Sequence, residues 1–484
     1  MIWLAFDIGT TGTKAALVGE AQNVLANAYA SYETTRDQHG AVEQNPSDWW
    51  QAVLKTARDL SGHSEFSKVS SIVVTGQMQN ATLLNETGQS LRPTILYSDS
   101  RAQEEAKEVI ERLGIDELYD KTGNEQDGSS LLSKLLWLEH HEPETLRRSN
   151  YIFLGAADAV AFWLTGQAVT DTTTTSTTGL MDIEERKYLE PFFEGLGLEH
   201  LQSKLPTLQS GGQLAGHLTA IAARELKLSE GIPVYLAPGD AGSTTLGAGS
   251  GELGEAYAYI GTSGWIAFSS EERARERSVF TLAHPHPKRF IQIAPLLTAG
   301  GNLQWIRDLF SSNDYENFIS EALSSQPSSL LYLPYLNGER CPVRDPLARG
   351  AFIGLSSTTT KAQMTRAVLE GIVFNYRHAL HVLRPTFPKG LTLTGGGTKS
   401  EQWCQLFANV LGIPVQVMQD AEFVGVRGAQ LSALVASGKR QGYKVKNECV
   451  TFEPTGELEP HYSKLYDAYL DIYPSLKETF KKLS

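Results

Sequence analysis

AFDIGTTGTKAALVG (residues 5–19) holds the feature that decides the fold. Apolar residues alternate through Ile2, Leu4 and Phe6, then comes Gly-Thr-Thr-Gly, then an apolar run from Ala15 to Val18. That is the pattern of strand, tight turn, strand. The turn is written again as IGTSG (260–264), inside AYAYIGTSGWIAFSS (256–270). Each half of the chain opens on this unit and continues with alternating strands and helices. The repeat predicts a duplicated α/β plan, two similar lobes enclosing a cleft, and such clefts are favoured ligand sites. We expect the boundary where glycines cluster, near Gly249 to Gly254, giving domains 1–249 and 250–484.

Between these anchors the local signals are mixed. PSDWWQAVLKTARDL (46–60) reads as a helix with Ser47 as N-cap. SIVVTGQMQNATLLN (71–85) reads as a buried strand running into a glycine-marked loop, and SKLLWLEHH (133–141) and YIFLGAADAVAFWLTG (151–166) as helices behind it. TDTTTTSTTGLMD (170–182) is expected to be a loop or β segment with solvated hydroxyls. Near the C-terminus, Tyr462, Leu465, Tyr466, Tyr469 and Tyr473 recur at helical spacing, a core stripe.

The bulk properties exclude several classes. The chain has 484 residues, 41% of them hydrophobic and 20% charged, with a net charge of −13. That balance argues against a nucleic-acid binder, which carries a basic patch. There is no apolar run of about 18 residues, so no membrane span is expected. MIWLAFDIGTTG lacks a basic leader region and meets Asp7 early, so it does not read as a signal peptide. Cys341, Cys404 and Cys449 have no metal-ligand or disulfide spacing, which fits a reducing cytoplasm.

A Gly/Thr turn can be a plain hairpin, or it can use successive backbone N–H groups to hold an anion. Its repetition at the head of each half favours phosphate. Lys14 either reaches that phosphate or is a solvated strand residue. TGGGTKS (394–400) opens a helix and admits close approach by a nucleotide. No Walker A loop or Rossmann fingerprint is present. Asp7 beside an anion cradle would repel the anion unless a cation such as Mg²⁺ lay between them. Asp240, in PGDAGSTT (238–245), is either a helix cap or a general base at a strand end.

FDIGTTGTK, GQMQNATLL, KLLWLEHHEPE, PGDAGSTTLGAG, YIGTSG, YLNGERCPVRDPLARGAFIGL, RAVLEGIVFNY and TGGGTKSEQWCQLFANVLGIPV occur in the order expected of the FGGY carbohydrate kinases. Gly350, Phe352, Gly354, Leu355, Gln363, Met364 and Ala367 to Gly371 fit that family's C-terminal signature. The sequence resembles this family over nearly its whole length, and its xylulokinase branch most.

The resemblance implies two actin-like (ribonuclease H-like) domains with a cleft between them, and ATP-dependent phosphorylation of a sugar. It implies Asp240 as base, Asp7 as the metal-associated carboxylate for Mg²⁺, and Thr10, Thr11, Gly12, Gly261 and Thr262 around the phosphates, beside which Lys14 would lie if it reaches them. Gly300 and Gln304, with Gly396, Gly397 and Ser400, fall where the family contacts ATP. Met78 and Gln79, with Asp240, fall where it holds the sugar.

The chain departs from the xylulokinase pattern at Gln79, usually His, and Ala241, usually Asn. Both changes alter polar contacts to the sugar. The expected reaction is transfer to a primary hydroxyl of a ketopentose, D-xylulose first. Ribulose, L-xylulose, gluconate or glycerol are alternatives, as are a non-catalytic sugar sensor and an ATP-driven chaperone or filament former of the same fold. The expected partners are the sugar and ATP, with a homodimer left open.

Overall fold

The computed structural model describes residues 1–37, 40–312, 314–383, 390–445 and 449–483. Two sheets organise the chain. The first contains β1 (Ile2–Ile8), β2 (Gly12–Val18), β3 (Val24–Ser31), β4 (Val69–Gly76), β5 (Gln213–His217) and β6 (Pro233–Leu236), in the order β5-β6-β4-β1-β2-β3. The second contains β7 (Ala256–Ile260), β8 (Gly264–Ser270), β9 (Phe280–Ala283), β10 (Phe290–Leu296), β11 (Leu391–Thr394), β12 (Val415–Met418) and β13 (Cys449–Phe452), in the order β9-β10-β8-β7-β11-β12-β13.

The common part of the two is the same. β3-β2-β1 and β10-β8-β7 are antiparallel meanders, and β4-β6 and β11-β12 extend them in parallel. This is an α/β fold of two like units, as the repeated turn predicts, and it agrees with the actin-like, ribonuclease H-like pair that the resemblance implies.

The helices that matter are, in chain order, α1 (Pro46–Leu60), α2 (Leu131–His141), α3 (Ala156–Thr165), α4 (Thr172–Thr175), α5 (Asp240–Gly247), α6 (Gly300–Leu309), α7 (Lys361–Leu383), α8 (Glu401–Leu411), α9 (Val424–Ala436) and α10 (Glu459–Leu483). Side chains of a strand alternate between faces, and here the faces have different owners. Leu4, Phe6, Ile8, Ala15 and Leu17 pack under α1 and α3, where Trp49, Val53 and Val160 meet them. Trp3, Ala5, Ala16, Val18 and Val73 face the other way and are covered by Val426, Ala429 and Ala433 of α9, which comes from the far end of the sequence.

The second sheet mirrors this arrangement. Ala256, Ala258 and Ile260 pack with Leu369, Val373 and Phe407 of α7 and α8. Tyr257 and Ala267 pack on the opposite face with Ala248 and Met78, and with Ala241 of α5. Each sheet is thus finished by a helix that follows a strand of the other sheet. α5 and α9 cross almost backbone to backbone. A Cβ on Gly247 would stand 1.8 Å from the Val424 carbonyl oxygen, and one on Gly428 would stand 1.8 Å from that of Ser243. Only glycine fits either position.

Three local expectations need correction. The cap of α1 is Asn45, whose side chain accepts from the Ser47 N–H at 3.2 Å, with Pro46 at the first helical position. Tyr151–Phe153 is a strand paired with Thr82–Leu84, and the helix begins only at Ala156. The threonine run is buried rather than solvated. Thr170, Thr172, Thr173, Thr174, Thr175 and Thr178 are each at most 4% exposed. Several of their hydroxyls find acceptors nearby: Thr175 donates to the Asp171 carbonyl at 2.9 Å, Thr178 to that of Thr175 at 2.6 Å, and Thr174 to the Asp171 carboxylate. Thr173 donates across to the Ala283 carbonyl of β9 at 2.7 Å, and the Ala283 N–H donates to Ser176 at 2.8 Å. A hydroxyl paired with backbone can be buried at little cost. The tyrosine stripe of α10 is core: Tyr462, Tyr466 and Tyr469 are buried and Tyr473 packs at its margin. No helix among the described residues is long and apolar enough to cross a membrane.

Candidate active site

Both repeated turns sit at the C-terminal end of the first strand of their sheet. In the first, the Gly9 N–H donates to the Gly12 carbonyl at 3.1 Å, and Tyr32 donates to the Gly9 carbonyl. Tyr29 donates to the Thr11 carbonyl at 3.0 Å, and Gln44 donates to the Thr10 carbonyl at 2.6 Å. Carbonyls are thereby tied down, while the N–H groups of Thr10 and Thr11 have no partner among the described residues. The second turn repeats this economy. Gly261 donates to the Ser263 carbonyl at 3.0 Å, and Ala299, Gly300 and Gly301, at the start of α6, donate to the Thr262 and Gly261 carbonyls at 2.8–2.9 Å. The N–H groups of Thr262 and Ser263 have no partner among the described residues. Two consecutive unpaired N–H groups form an anion-binding nest.

A cavity of about 690 Å³ opens beside the second turn. Gly261, Thr262, Gly300, Gln304, Gly396, Gly397 and Ser400 all line it, so the sequence-predicted residues of the C-terminal half converge on one space. Ser400 caps α8, accepting from the Trp403 N–H at 3.3 Å. Sequence reasoning missed part of the wall: Leu303, Tyr315, Ile319 and Trp403 also line the cavity. Helical periodicity from Gly300 and Ser400 points to Leu303 and Trp403, each three residues on, but nothing local marks the helix bearing Tyr315. The lining mixes apolar side chains with a few polar groups, as ligand pockets do.

Asp7, Thr10, Thr11, Gly12 and Lys14 lie apart from that cavity lining, on the first hairpin. Asp7 pairs in register with Lys14 across β1 and β2. Its carboxyl receives no hydrogen bond from the described residues. Burial raises its pKa, and the Lys14 charge offsets part of the rise. The Lys14 ammonium donates to the Glu422 carbonyl at 2.5 Å and lies 5.4 Å over the Phe423 ring, so it joins the two halves.

Asp240 is the first residue of α5, with Gly239 at the cap position, and its side chain accepts from the Ala241 N–H at 2.7 Å. Burial, with the charges of Asp7 and Asp171 adding to it, lifts its pKa to about 7. Asp171, itself raised to about 6 by burial, accepts from Thr173 and Thr174 N–H at 2.8 and 3.0 Å and from the Gly239 backbone. The buried threonine run therefore supports the loop that carries Asp240.

Met78 is buried against the second sheet, and its thioether closes on Gly239. Gln79 holds a left-handed backbone (φ 61°) and donates to the Ser129 carbonyl at 3.0 Å. Gln77 donates to Gln44 at 2.9 Å, which couples this loop to the first turn.

Residues 2–247 match the N-terminal domain, and residues 256–437 the C-terminal domain, of the FGGY family of carbohydrate kinases. The chain belongs to that family. As an FGGY kinase it is an ATP-dependent sugar kinase. It is 29% identical to a xylulose kinase of Bacillus subtilis, covering 98% of this chain and 97% of that one. It is 26% identical to a gluconokinase of the same organism, covering 99% and 97%. The crystal structure of a xyloylose kinase from Brucella ovis superposes with a TM-score of 0.91 at 29% identity, covering 99% of this chain and all of that one.

A kinase of this kind implies a divalent cation, and Asp7 fits one that nucleotide phosphates help to hold. Its carboxylate has no hydrogen-bond donor among the described residues, and Gly425 leaves it room: a Cβ there would stand 2.9 Å from Oδ2. No cluster of three or more His, Cys, Asp or Glu is placed to cage a metal among the described residues.

Proposed function

We propose that the protein transfers the γ-phosphoryl group of MgATP to a primary hydroxyl of a ketopentose, with D-xylulose the first candidate. The observation that carries this reading is the placement of Asp240 at the start of α5, next to Gly239 against which Met78 packs, where burial and the nearby Asp7 charge raise its carboxyl to about 7, in the range of a general base near neutral pH. The choice of sugar rests on similarity to xylulose kinases.

In this reading residues 1–249 hold the sugar through Met78, Gln79 and Asp240. Residues 250–484 hold the nucleotide through Gly261, Thr262, Gly300, Gln304, Gly396, Gly397 and Ser400. Asp240 accepts the proton of the attacking hydroxyl. The free N–H groups of the two turns donate to oxygens of the transferring group, and Lys14, with donors beyond the one given to Glu422, adds positive charge. Positioning and charge stabilisation are most of the task in phosphoryl transfer. Asp7 would hold Mg²⁺, which neutralises phosphate charge when bound.

Asp240→Ala is expected to lower kcat for the sugar at least about a hundredfold and to leave ATP binding by titration within a few-fold. Near-normal turnover would remove Asp240 from the base role. Gluconate is the second reading, favoured by the gluconokinase similarity. A panel of D-xylulose, L- and D-ribulose, L-xylulose, gluconate and glycerol, ranked by kcat/KM, decides between them.

A further inference from the structure

Tyr259 stands in the second half where Asp7 stands in the first. Asp7 pairs with Lys14 across the first hairpin, and Tyr259 pairs with Trp265 across the second. The two rings stack, with centroids 4.1 Å apart and planes 13° from parallel. The stack is fixed from behind. The Trp265 indole N–H donates to the Tyr257 hydroxyl at 2.8 Å, which also accepts from Thr245 of α5 at 3.3 Å. Tyr376 donates to the Tyr259 carbonyl at 2.6 Å. The Tyr259 ring is therefore held in place from the helix that begins with Asp240.

Two further observations give that ring a task. Tyr259 lines the nucleotide-sized cavity, and it also packs with Met78 and Ala241 on the cleft face of the second sheet. Among the described residues it alone lies in both groups. Its hydroxyl hangs over the second turn: a Cβ on Gly261 would be 2.9 Å from that oxygen. The hydroxyl has no hydrogen-bond partner among the described residues, and neither have the N–H groups of Thr262 and Ser263, the two residues that follow Gly261 in the turn. A phenol fixed by packing, with an unpartnered O–H over the turn that carries an anion nest, is a preorganised donor.

We propose that the Tyr259 hydroxyl donates a hydrogen bond to the phosphoryl group during transfer, making it a catalytic residue supplied by the second lobe. The inference rests on the reading of the cleft given above. In the step, the acceptor hydroxyl gives its proton to Asp240. Its oxygen forms a bond to the γ-phosphorus, and the bond from that phosphorus to the bridging oxygen breaks, leaving its electron pair on ADP. Tyr259 keeps its proton throughout. Its hydrogen bond shortens as charge gathers on the oxygens, so its contribution belongs to kcat rather than to binding.

The test is Tyr259→Phe, which keeps the ring and its stack on Trp265. Steady-state phosphorylation of the best sugar from the panel is measured beside Asp240→Asn, together with ADP affinity and melting temperature. For Tyr259→Phe, kcat should fall roughly 10- to 100-fold, the range for a hydrogen bond to a charged group. Sugar KM, ADP affinity and melting temperature should stay within about twofold or a degree or two of the parent. If Asp240→Asn is inactive while Tyr259→Phe keeps kcat within twofold, this role is wrong and the kinase reading stands. If Asp240→Asn is itself near normal, the reading of the cleft fails first. A loss seen only in ADP affinity would make Tyr259 a binding wall and overturn the proposal.

Discussion

The first and second glycine turns share a backbone and differ in their company. Both tie down carbonyls and leave two neighbouring N–H groups with no partner among the described residues. Beside the first stand a carboxylate and an ammonium, Asp7 and Lys14; beside the second stand two stacked aromatic rings, Tyr259 and Trp265. A carboxylate near an anion site is useful only with a cation between them, whereas an aromatic pair shapes and dries the site without adding charge. Duplication has kept the anion-binding backbone and let the flanking pair diverge. One lobe brings formal charges to its turn, and the other brings a neutral donor on a packed ring.

This contrast can be broken from the charged side first. Asp7→Asn removes the proposed metal carboxylate and should cost about a thousandfold in kcat. It should leave ADP binding in the C-terminal cavity within a few-fold, and equal losses in both would mean that the lobes are not specialised. The next effect is pH dependence. Asp240 must be ionised to accept a proton, and its pKa is raised to about 7, so kcat/KM should fall about tenfold per pH unit below 7 and level off above it. Because the Asp7 charge contributes to that rise, Asp7→Asn should move the midpoint down, as should increasing Mg²⁺. A midpoint insensitive to both would uncouple the two carboxylates. The smallest effect is at Lys14. Lys14→Met removes a donor to the Glu422 carbonyl and the charge proposed to lie beside the phosphates, so it should lower kcat by less than Asp7→Asn does and lower stability by about 1 kcal/mol, read as a modest drop in melting temperature. No matching loss of the second turn's geometry is expected, because Tyr259 and Trp265 do not depend on it.

Much of the fold was legible because its signals are local and repeated. IGTTG and IGTSG are each bounded by apolar strands, and the duplicated sheets follow from them. The threonine run was misjudged for a physical reason. Hydroxyls of Thr175 and Thr178 bond back to the preceding turn, and Thr173 reaches β9 in the other half. Composition cannot report such pairing, so a polar run that is buried reads as exposed. The same limit hid Asp171, whose link to Gly239 exists only in three dimensions. In the candidate site, residues on glycine turns could be named from the motif. Tyr315 and Ile319 could not, because they are brought to the cavity by a helix whose own sequence is ordinary. Asn45 displaced Ser47 as the cap of α1 because the proline at 46 sets the first helical position.

The crossing of α5 and α9 at Gly247 and Gly428 has a consequence for how the chain can be divided. Although the sequence falls into two halves, each sheet borrows its last covering helix from a segment that follows the other half's strands. A fragment ending near Gly249 would leave Trp3, Ala5, Val73 and Ala237 bare where α9 belongs. The halves behave less like beads on a string than like two partners that have exchanged arms. Severed in the loop after Gly249 and expressed together, they would be expected to reassemble by fragment complementation; expressed singly, each would present an uncovered apolar face and aggregate.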